Sequence, residues 1–327
     1  MATIEDVAAL AGVSIATVSR VMNNSYIVSQ DKREKVLAAA ASLNYQTNRN
    51  PIRQTENRLI MIVGSAFIYD VVAGIQDKAR ENGYDVVFYY AANPSNQLLT
   101  SGLLSRGQAD GIILLNYQTD EQELSDLMKQ YPVVQCGGSL SFTGGITVSI
   151  NNERAARDVV THLAGTGRRR IALVKPEFAA FKPYYMSERE KGYRLALLEL
   201  GLGIDDGLIF ECDLSPESIE ENVQRMLSME MKPDALFCLN DSLGASFMAA
   251  LRDRGIDVPD GIAVAGFDND DLTEWQRPPL TSINQPRYEI GCECVRLLIS
   301  QIKDDSVVGR HVLLTHNLVV RGSTVRT

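Results

Sequence analysis

The 327-residue sequence has little that binds metals or drives covalent chemistry. Its five cysteines, Cys136, Cys212, Cys238, Cys292 and Cys294, are odd in number and scattered, with no Cys-x-x-Cys pair. Only His162, His311 and His316 are available to join them, and no cluster has metal-ligand spacing, so no metal site is expected. The cysteines read as buried free thiols of a reducing compartment. The chain has no Gly-x-Ser-x-Gly, no Walker loop and no His-Glu-x-x-His. Gly137-Gly138 and Gly144-Gly145 read as loop glycines rather than a phosphate cradle. Long apolar runs are missing too. The most apolar stretch, Leu59 to Ile75, is interrupted by Gly64 and Asp70, which excludes a membrane span. No signal-peptide pattern precedes Thr3. A cytoplasmic, cofactor-free protein that is not an enzyme is expected.

Positive charge is also scarce. The formal net charge of −9 argues, as an average, against a nucleic-acid partner. The deficit is uneven, however. Residues 1–58 contain seven Arg or Lys against five Asp or Glu, leaving 25 basic and 36 acidic residues for the remainder. With 45% apolar residues the chain can bury ample core, and its length implies two or three domains.

The mildly basic region holds TIEDVAALAGVSIATVSRVMNN, residues 3–24. Thr3 followed three residues later by Asp6 is a capping pattern, and Ile4, Val7, Ala8 and Ala11 recur at helical spacing. Gly12 breaks the run where a turn needs positive φ. Ser14 can cap a second helix, in which Ile15, Val18 and Val21-Met22 recur. Two short helices joined by a tight glycine turn form a helix-turn-helix, whose second helix can enter the DNA major groove. Ser29 reads as the cap of a third helix, Gln30 to Leu43. Val36, Leu37, Ala40 and Leu43 are expected to cover the first two helices, with Lys32, Arg33 and Lys35 outward. Asn48 to Arg58 is polar, carries Pro51 and reads as a linker.

From Leu59 the chain alternates short apolar runs with amphipathic helices, the pattern of a parallel α/β sheet. Two such sets occur, and they echo one another. Residues 109–116 (ADGIILLN) and 233–240 (PDALFCLN) share an Asp, an apolar run and a terminal Asn. The expectation is an all-α helix-turn-helix headpiece plus two doubly wound parallel-sheet α/β lobes. Such sheets bind ligands beyond the carboxyl ends of their strands. Asn116 and Asn240 then stand on the walls of a cleft between lobes. Asp268-Asn269-Asp270-Asp271 follows a strand and reads as a ligand-binding and helix-entry loop.

DVAALAGVSIATVSRVMNN, followed by VSQDKREKVLAAAASLNY, resembles the headpiece of the lactose/galactose repressor family (LacI/GalR). Later landmarks follow in the family's order: Asn240-Asp241, VPDGIAVAGFDNDDL, RPPLTSINQP and LVVRGST. The C-terminal third looks most like the family's cytidine repressor branch. The resemblance implies lobes of periplasmic-binding-protein type and a headpiece over 1–48, a hinge over 49–58 and a two-lobed domain over 59–327. Lobe 1 would comprise about 59–150 and 284–303, and lobe 2 about 151–283 and 311–324. The function implied is transcriptional repression by a homodimer on double-stranded DNA, at a pseudo-palindromic operator, tuned by a small ligand. The sugar, sugar phosphate and nucleoside classes stay open, and so does control by a partner protein instead of a metabolite.

By the resemblance, Ile15 and Ala16 occupy the family's two specificity positions, with Arg20 one turn later on the same face. Arginine can read guanine bidentately, whereas Ile15 and Ala16 read only thymine methyls or shape. Thr3, Ser14, Thr17, Ser19, Ser29 and Arg33 join them as DNA-contacting residues, the hydroxyls being suited to phosphates. The family's hinge forms a helix with an apolar minor-groove wedge. Here Ile52 is the wedge, in a hinge about three residues short, with Arg49, Arg53 and Arg58 for phosphates. For the ligand, Ser187-Glu188-Arg189-x-x-Gly192-Tyr193 resembles the segment that places an arginine in the cleft. Arg189 and Asp268 would bracket a polyol or ribose, the alternative being a salt bridge between lobes. The family's Asn-Pro-Phe-Phe appears as Ser65-Ala66-Phe67-Ile68, and an aromatic usual near position 214 is Leu214. Stacking then falls to Phe67 or to FAAFKPYYM, where Phe178, Phe181, Tyr184 and Tyr185 cluster beside Lys175 and Lys182. The two lysines would favour a phosphorylated ligand. The expected ligand set is Ser65, Phe67, Asn116, Arg189, Asn240 and Asp268.

Overall fold

The computed structural model describes residues 3–22, 28–43, 57–91, 102–117, 121–137, 145–177, 183–304 and 309–325. Two compact units emerge, residues 1–57 with 106–108 and the rest of the chain.

In the first unit three helices form, α1 (Ile4–Ala11), α2 (Ile15–Met22) and α3 (Gln30–Ser42). Local chemistry sets their ends. The Thr3 amide donates to Asp6 Oδ2 at 2.8 Å and the Asp6 amide to Thr3 Oγ1 at 3.3 Å, a complete capping box. Gly12 closes α1 at φ 63°, a left-handed conformation that only glycine adopts without cost. The Ser14 hydroxyl accepts from the Thr17 amide at 3.2 Å and opens α2. Val7, Ala8, Ala11, Val18, Val21, Val36, Ala39 and Ala40 form the core. Leu37 departs from expectation: it is 50% exposed, and Ala39 is buried instead. Positions 36, 39, 40 and 43 lie on one helical face, and 37 falls about 100° away from 36.

The second unit begins with β1 (Leu59–Gly64), α4 (Tyr69–Glu81), β2 (Asp85–Tyr90), α5 (Gly102–Ser105), β3 (Gly111–Leu115), α6 (Glu121–Met128), β4 (Val133–Cys136) and β5 (Ile146–Ile150). It continues through α7 (Asn152–Gly165), β6 (Ile171–Pro176), α8 (Tyr184–Glu199), β7 (Ile209–Cys212), α9 (Pro216–Leu227), β8 (Ala235–Cys238), α10 (Asp241–Asp253), β9 (Ala263–Asp268), α11 (Leu272–Trp275) and β10 (Thr281–Asn284). It closes with α12 (Arg287–Lys303), β11 (His311–Leu314) and β12 (Asn317–Val319).

The strands make two sheets of identical plan, β2-β1-β3-β4-β5-β11 and β7-β6-β8-β9-β10-β12. All pairs are parallel except β10 with β12. Strands such as IILL of β3 and ALFC of β8 are buried throughout, as helices on both faces of a parallel sheet demand. Side-chain caps open the helices that follow: Asn151 accepts from the Arg154 amide, Ser215 from Ser218 and Asn240 from Leu243.

Helix α12 packs on the lobe 1 sheet, where its Leu298 side chain lies over Gly111 of β3. The placement of residues 311–314 needs correction. Expected in lobe 2, they form β11 and pair in parallel with β5 of lobe 1, from His311↔Thr147 to Leu314↔Ile150. β12 and the residues after it, where Ser323 bonds Val264 and Thr281, belong to lobe 2. The chain thus crosses between lobes three times, after β5, after β10 and between β11 and β12.

Candidate ligand cleft and DNA-reading helix

Asn116 follows β3 and Asn240 follows β8, equivalent places in the two sheets, next to the strand-order reversal where open α/β sheets bind ligands. Both line a cavity of about 170 Å³ between the lobes. Lobe 1 contributes Ile68, Val71, Leu115, Cys136 and Val148, mostly apolar, together with Asn116 and Ser149. Lobe 2 contributes Asn152, Tyr185, Met186, Arg189, Asn240 and Asp268. Gln285 and Arg287 come from the crossover after β10, and Ile290 from α12.

Arg189 is the most confined charged group of the wall, 3% exposed. Its Nε donates to Asn152 Oδ1 at 3.0 Å, Nη1 to the Leu239 carbonyl at 2.7 Å and Nη2 to Asp268 Oδ1 at 3.2 Å. The guanidinium lies 3.5 Å from the Phe267 ring centroid and 5.0 Å from that of Tyr185. The Arg189–Asp268 pair therefore joins two elements of lobe 2, α8 and β9, and not the two lobes.

Asp268 ends β9 at φ 111°, followed by Asn269 at φ 53°, and Asn116 stands at φ 47°. Left-handed non-glycine residues concentrate where surrounding contacts hold them, often at functional sites. Here the contacts are visible. The Asn269 amide donates to Ser282 Oγ at 3.0 Å and the Asp270 amide to Asp241 Oδ2 at 2.8 Å. Asp241 also accepts from Ser282 Oγ at 2.6 Å. Burial, reinforced by the Asp268 charge, pushes the Asp241 carboxyl up to about 8. Burial pushes Asp268 up as well, opposed by the Arg189 and Arg287 charges.

Four of the six expected ligand residues thus meet in one cavity: Asn116, Arg189, Asn240 and Asp268. Ser65 and Phe67 do not line it. Both are exposed, and Phe67 packs edge-on against Phe88 with centroids 5.3 Å apart. Ile68, one residue on, faces the cleft instead, and Tyr185 supplies the aromatic ring. Leu214 lies outside the lining, 39% exposed at φ 67°. Lys175 is held by Glu190 at 3.1 Å and Glu211 at 3.0 Å, so its charge is not available to a phosphate. Phe178, Phe181 and Lys182 lie outside the described residues. Asn240 also gives its Oδ1 to the α10 cap, leaving the amide NH₂ for other partners. Sequence reasoning missed Asn152, Gln285 and Arg287. Their one shared signal is position: each comes within three residues of the end of a strand, as Asn116 and Asn240 do.

On the headpiece, Ile15 is 47% exposed at the start of α2. The Thr3 hydroxyl is engaged by Asp6 at 3.0 Å, and those of Ser14 and Thr17 by one another at 2.9 Å. The Ser29 carbonyl accepts from the Arg33 amide as α3 begins. The side chains of Ala16, Ser19 and Arg20, and all of Arg49, Pro51, Ile52 and Arg53, lie outside the described residues.

The chain combines a capped helix-turn-helix with a duplicated two-lobed α/β domain, the build of a DNA-binding regulator of transcription. Residues 3–48 match the model of bacterial regulatory proteins of the lacI family, and residues 160–324 match a periplasmic binding protein-like domain. Catabolite control protein A of Priestia megaterium is 34% identical over 98% of this chain and 99% of its own. The transcriptional repressor CytR of Escherichia coli (strain K12) is 33% identical over 99% and 96%. Among solved structures, a transcriptional regulator CelR–cellobiose complex matches 99% of this chain and 100% of its own at 30% identity, with a TM-score of 0.72. The lac repressor dimer bound to operator and the anti-inducer ONPF matches 99% of each chain at 28% identity, with the same TM-score. The chain belongs to the lacI family of bacterial regulatory proteins. It is a DNA-binding transcriptional regulator, and its relatives are repressors rather than enzymes. Among the described residues no helix is long and apolar enough to cross a membrane.

Proposed function

We propose that the protein is a cytoplasmic repressor that binds a pseudo-palindromic operator as a homodimer and is tuned by a neutral, hydroxyl-rich small molecule in the cleft. The observation that carries the ligand class is charge compensation. Arg189 is paired with Asp268, Arg287 with Asp270, and Lys175 with two glutamates. Among the described residues around the cleft, a phosphate meets no uncompensated cation. A hydroxyl group, in contrast, meets the Asp268 carboxylate, which has about four lone-pair sites, and the amides of Asn116, Asn152 and Asn240. Tyr185 and Ile68 offer apolar surface to a ring. The cavity is smaller than the ~300–1,000 Å³ of drug-sized pockets, which fits a compact sugar or nucleoside. A site built from buried polar groups rejects ligands lacking the matching hydroxyl. The relative solved with cellobiose supports the same class.

In this reading Ile15, Ala16 and Arg20 face base edges, and Thr3, Ser14, Thr17, Ser19, Ser29 and Arg33 face the backbone. Ile52 enters the minor groove. A thermal-shift screen of sugars, sugar phosphates and nucleosides tests the ligand half: neutral members raise the melting temperature and their phosphates do not. A hit that Arg189→Ala leaves unchanged would sink the pocket assignment. A salt-dependent shift assay tests the DNA half. Wild type selects particular fragments from a genomic library, and Arg20→Ala loses ~1–3 kcal/mol of discrimination. Wild type without sequence preference ends the repressor reading.

A further inference from the structure

The segment Gln285–Arg287 carries the chain from lobe 2 into lobe 1, and both of its long polar side chains turn back to lobe 2. Gln285 Nε2 donates to Asp268 Oδ1 at 2.6 Å. Arg287 Nη1 donates to Asp270 Oδ1 at 2.5 Å, and its Nη2 lies 3.9 Å from Asp268 Oδ1. Arg287 is the first residue of α12, a 17-residue helix with no side-chain cap. A cation at that end opposes the helix dipole, whose positive pole is the N-terminus. Arg287 therefore does nothing for its own helix, and what offsets its placement is the carboxylate pair across the lobe boundary.

Nor can the start of α12 shift by itself. A Cβ at Gly74 would collide with the Tyr288 carbonyl, and one at Gly291 with the Val71 carbonyl. Helices α4 and α12 thus touch backbone to backbone at two points, with no side chain between them to yield. Helix α4 in turn starts one residue after Ile68 in the cavity wall.

We propose that Arg287, with Gln285, is an interlobe latch: it ties the cavity-lining Asp268 and the adjacent Asp270 of lobe 2 to the α4–α12 pair and so sets the angle between the lobes. This rests on the ligand-regulated reading above for its biological use. A hydroxyl-bearing ligand that takes Asp268 as acceptor competes with Gln285 and Arg287 for the same carboxylate. Occupancy then reaches lobe 1 through the crossover and the rigid helix pair. Arg287 is here a positioning residue.

The test reads lobe separation in the full chain. Nitroxide labels are placed at exposed Tyr90 of β2 and exposed Met231 of lobe 2 through an azide-bearing amino acid, which leaves the cysteines untouched. Dilution with unlabelled protein keeps one labelled copy per assembly, and pulsed electron–electron resonance gives the distance distribution. Arg287→Met and Asp270→Asn each shift or broaden the wild-type distribution, and the double variant goes no further than either, as two halves of one interaction require. Arg287→Lys restores part of the wild-type profile. An unchanged distribution in the folded single variants overturns the latch, as do additive shifts in the double variant. On a DNA fragment chosen by wild type, Arg287→Met changes affinity about 5–150-fold, the usual range of allosteric coupling. Shifted distances with unchanged DNA affinity overturn the regulatory role. If wild type selects no fragment, the repressor reading fails, while the distances still decide the latch.

Discussion

The two lobes share one strand order and one asparagine after the third strand of the set, yet they do different work. In lobe 2, Asn240 caps α10 at φ −150° and is followed by the buried Asp241. In lobe 1, Asn116 stands at φ 47° and is followed by the buried Tyr117. Lobe 2 carries Arg189 bonded to Asp268 and Asn152, and Asp241 bonded to Ser282 and the Asp270 amide, whereas most of the lobe 1 wall is aliphatic. A duplicated scaffold has thus separated its roles. On the proposed reading, one lobe recognises the ligand and the other presents an apolar surface to close on it, with Arg287 as the charged link between them.

The largest expected test of that asymmetry is Arg189→Met. It takes the guanidinium from the half-buried Asp268 carboxylate, which keeps Gln285 and the more distant Arg287, and costs ~3 kcal/mol in urea denaturation. Adding Asp268→Asn recovers part of the loss, because the weakly compensated charge is gone. An equal or greater loss in the double variant would contradict a pair held together by charge. Next is pH. The folded-state value of Asp241 lies about 8, above its ordinary carboxyl value. Its contribution is therefore fully present at acid pH and is lost progressively as pH rises toward and through about 8. Melting temperatures measured from pH 5 to 9 should fall more steeply for wild type than for Asp241→Asn. Lobe 1, with Tyr117 at the equivalent place, offers no such slope. The smallest effect compares the asparagines directly. Asn240→Ala loses a helix cap, about 1 kcal/mol, whereas Asn116→Gly costs nothing, since glycine enters the left-handed region freely. Equal losses at the two positions would mean that the lobes are equivalent after all.

Much of this was legible in the residues. Thr3, Asp6 and Gly12 act within a few positions of themselves, so local chemistry sufficed to find both ends of α1. Uninterrupted apolar runs such as IILL can only be buried on both faces, which announced parallel sheets. The repeated terminal asparagine placed both cleft walls. What stayed hidden depends on partners far along the chain. Phe67 sits in a family landmark, but its ring is drawn to Phe88 on the neighbouring strand. HVLLTHNLV contains no Gly or Pro to mark a boundary, and only the sheet edges decide that its first half joins β5 and its second half β10. Arg287 looks like any surface arginine until Asp270 is brought beneath it. The hydrogen bonds of Arg189 likewise come from residues at a sequence separation of 37 or more.

The three crossings have a consequence for how the protein is made. Each sheet receives its last edge strand from residues 311–319, long after the other strands of lobe 1 have left the ribosome. Between the synthesis of β5 and of its partner β11, roughly ten to thirty seconds pass at ordinary translation rates. During that time β5 has one open side, and α4 lacks the helix that will lie against it. Neither lobe can finish alone, so a nascent chain offers unpaired strand edge to its neighbours until its final segment arrives. Unpaired strand edges of this kind are the general hazard of a chain still being made, and here the hazard ends only with residues 311–319.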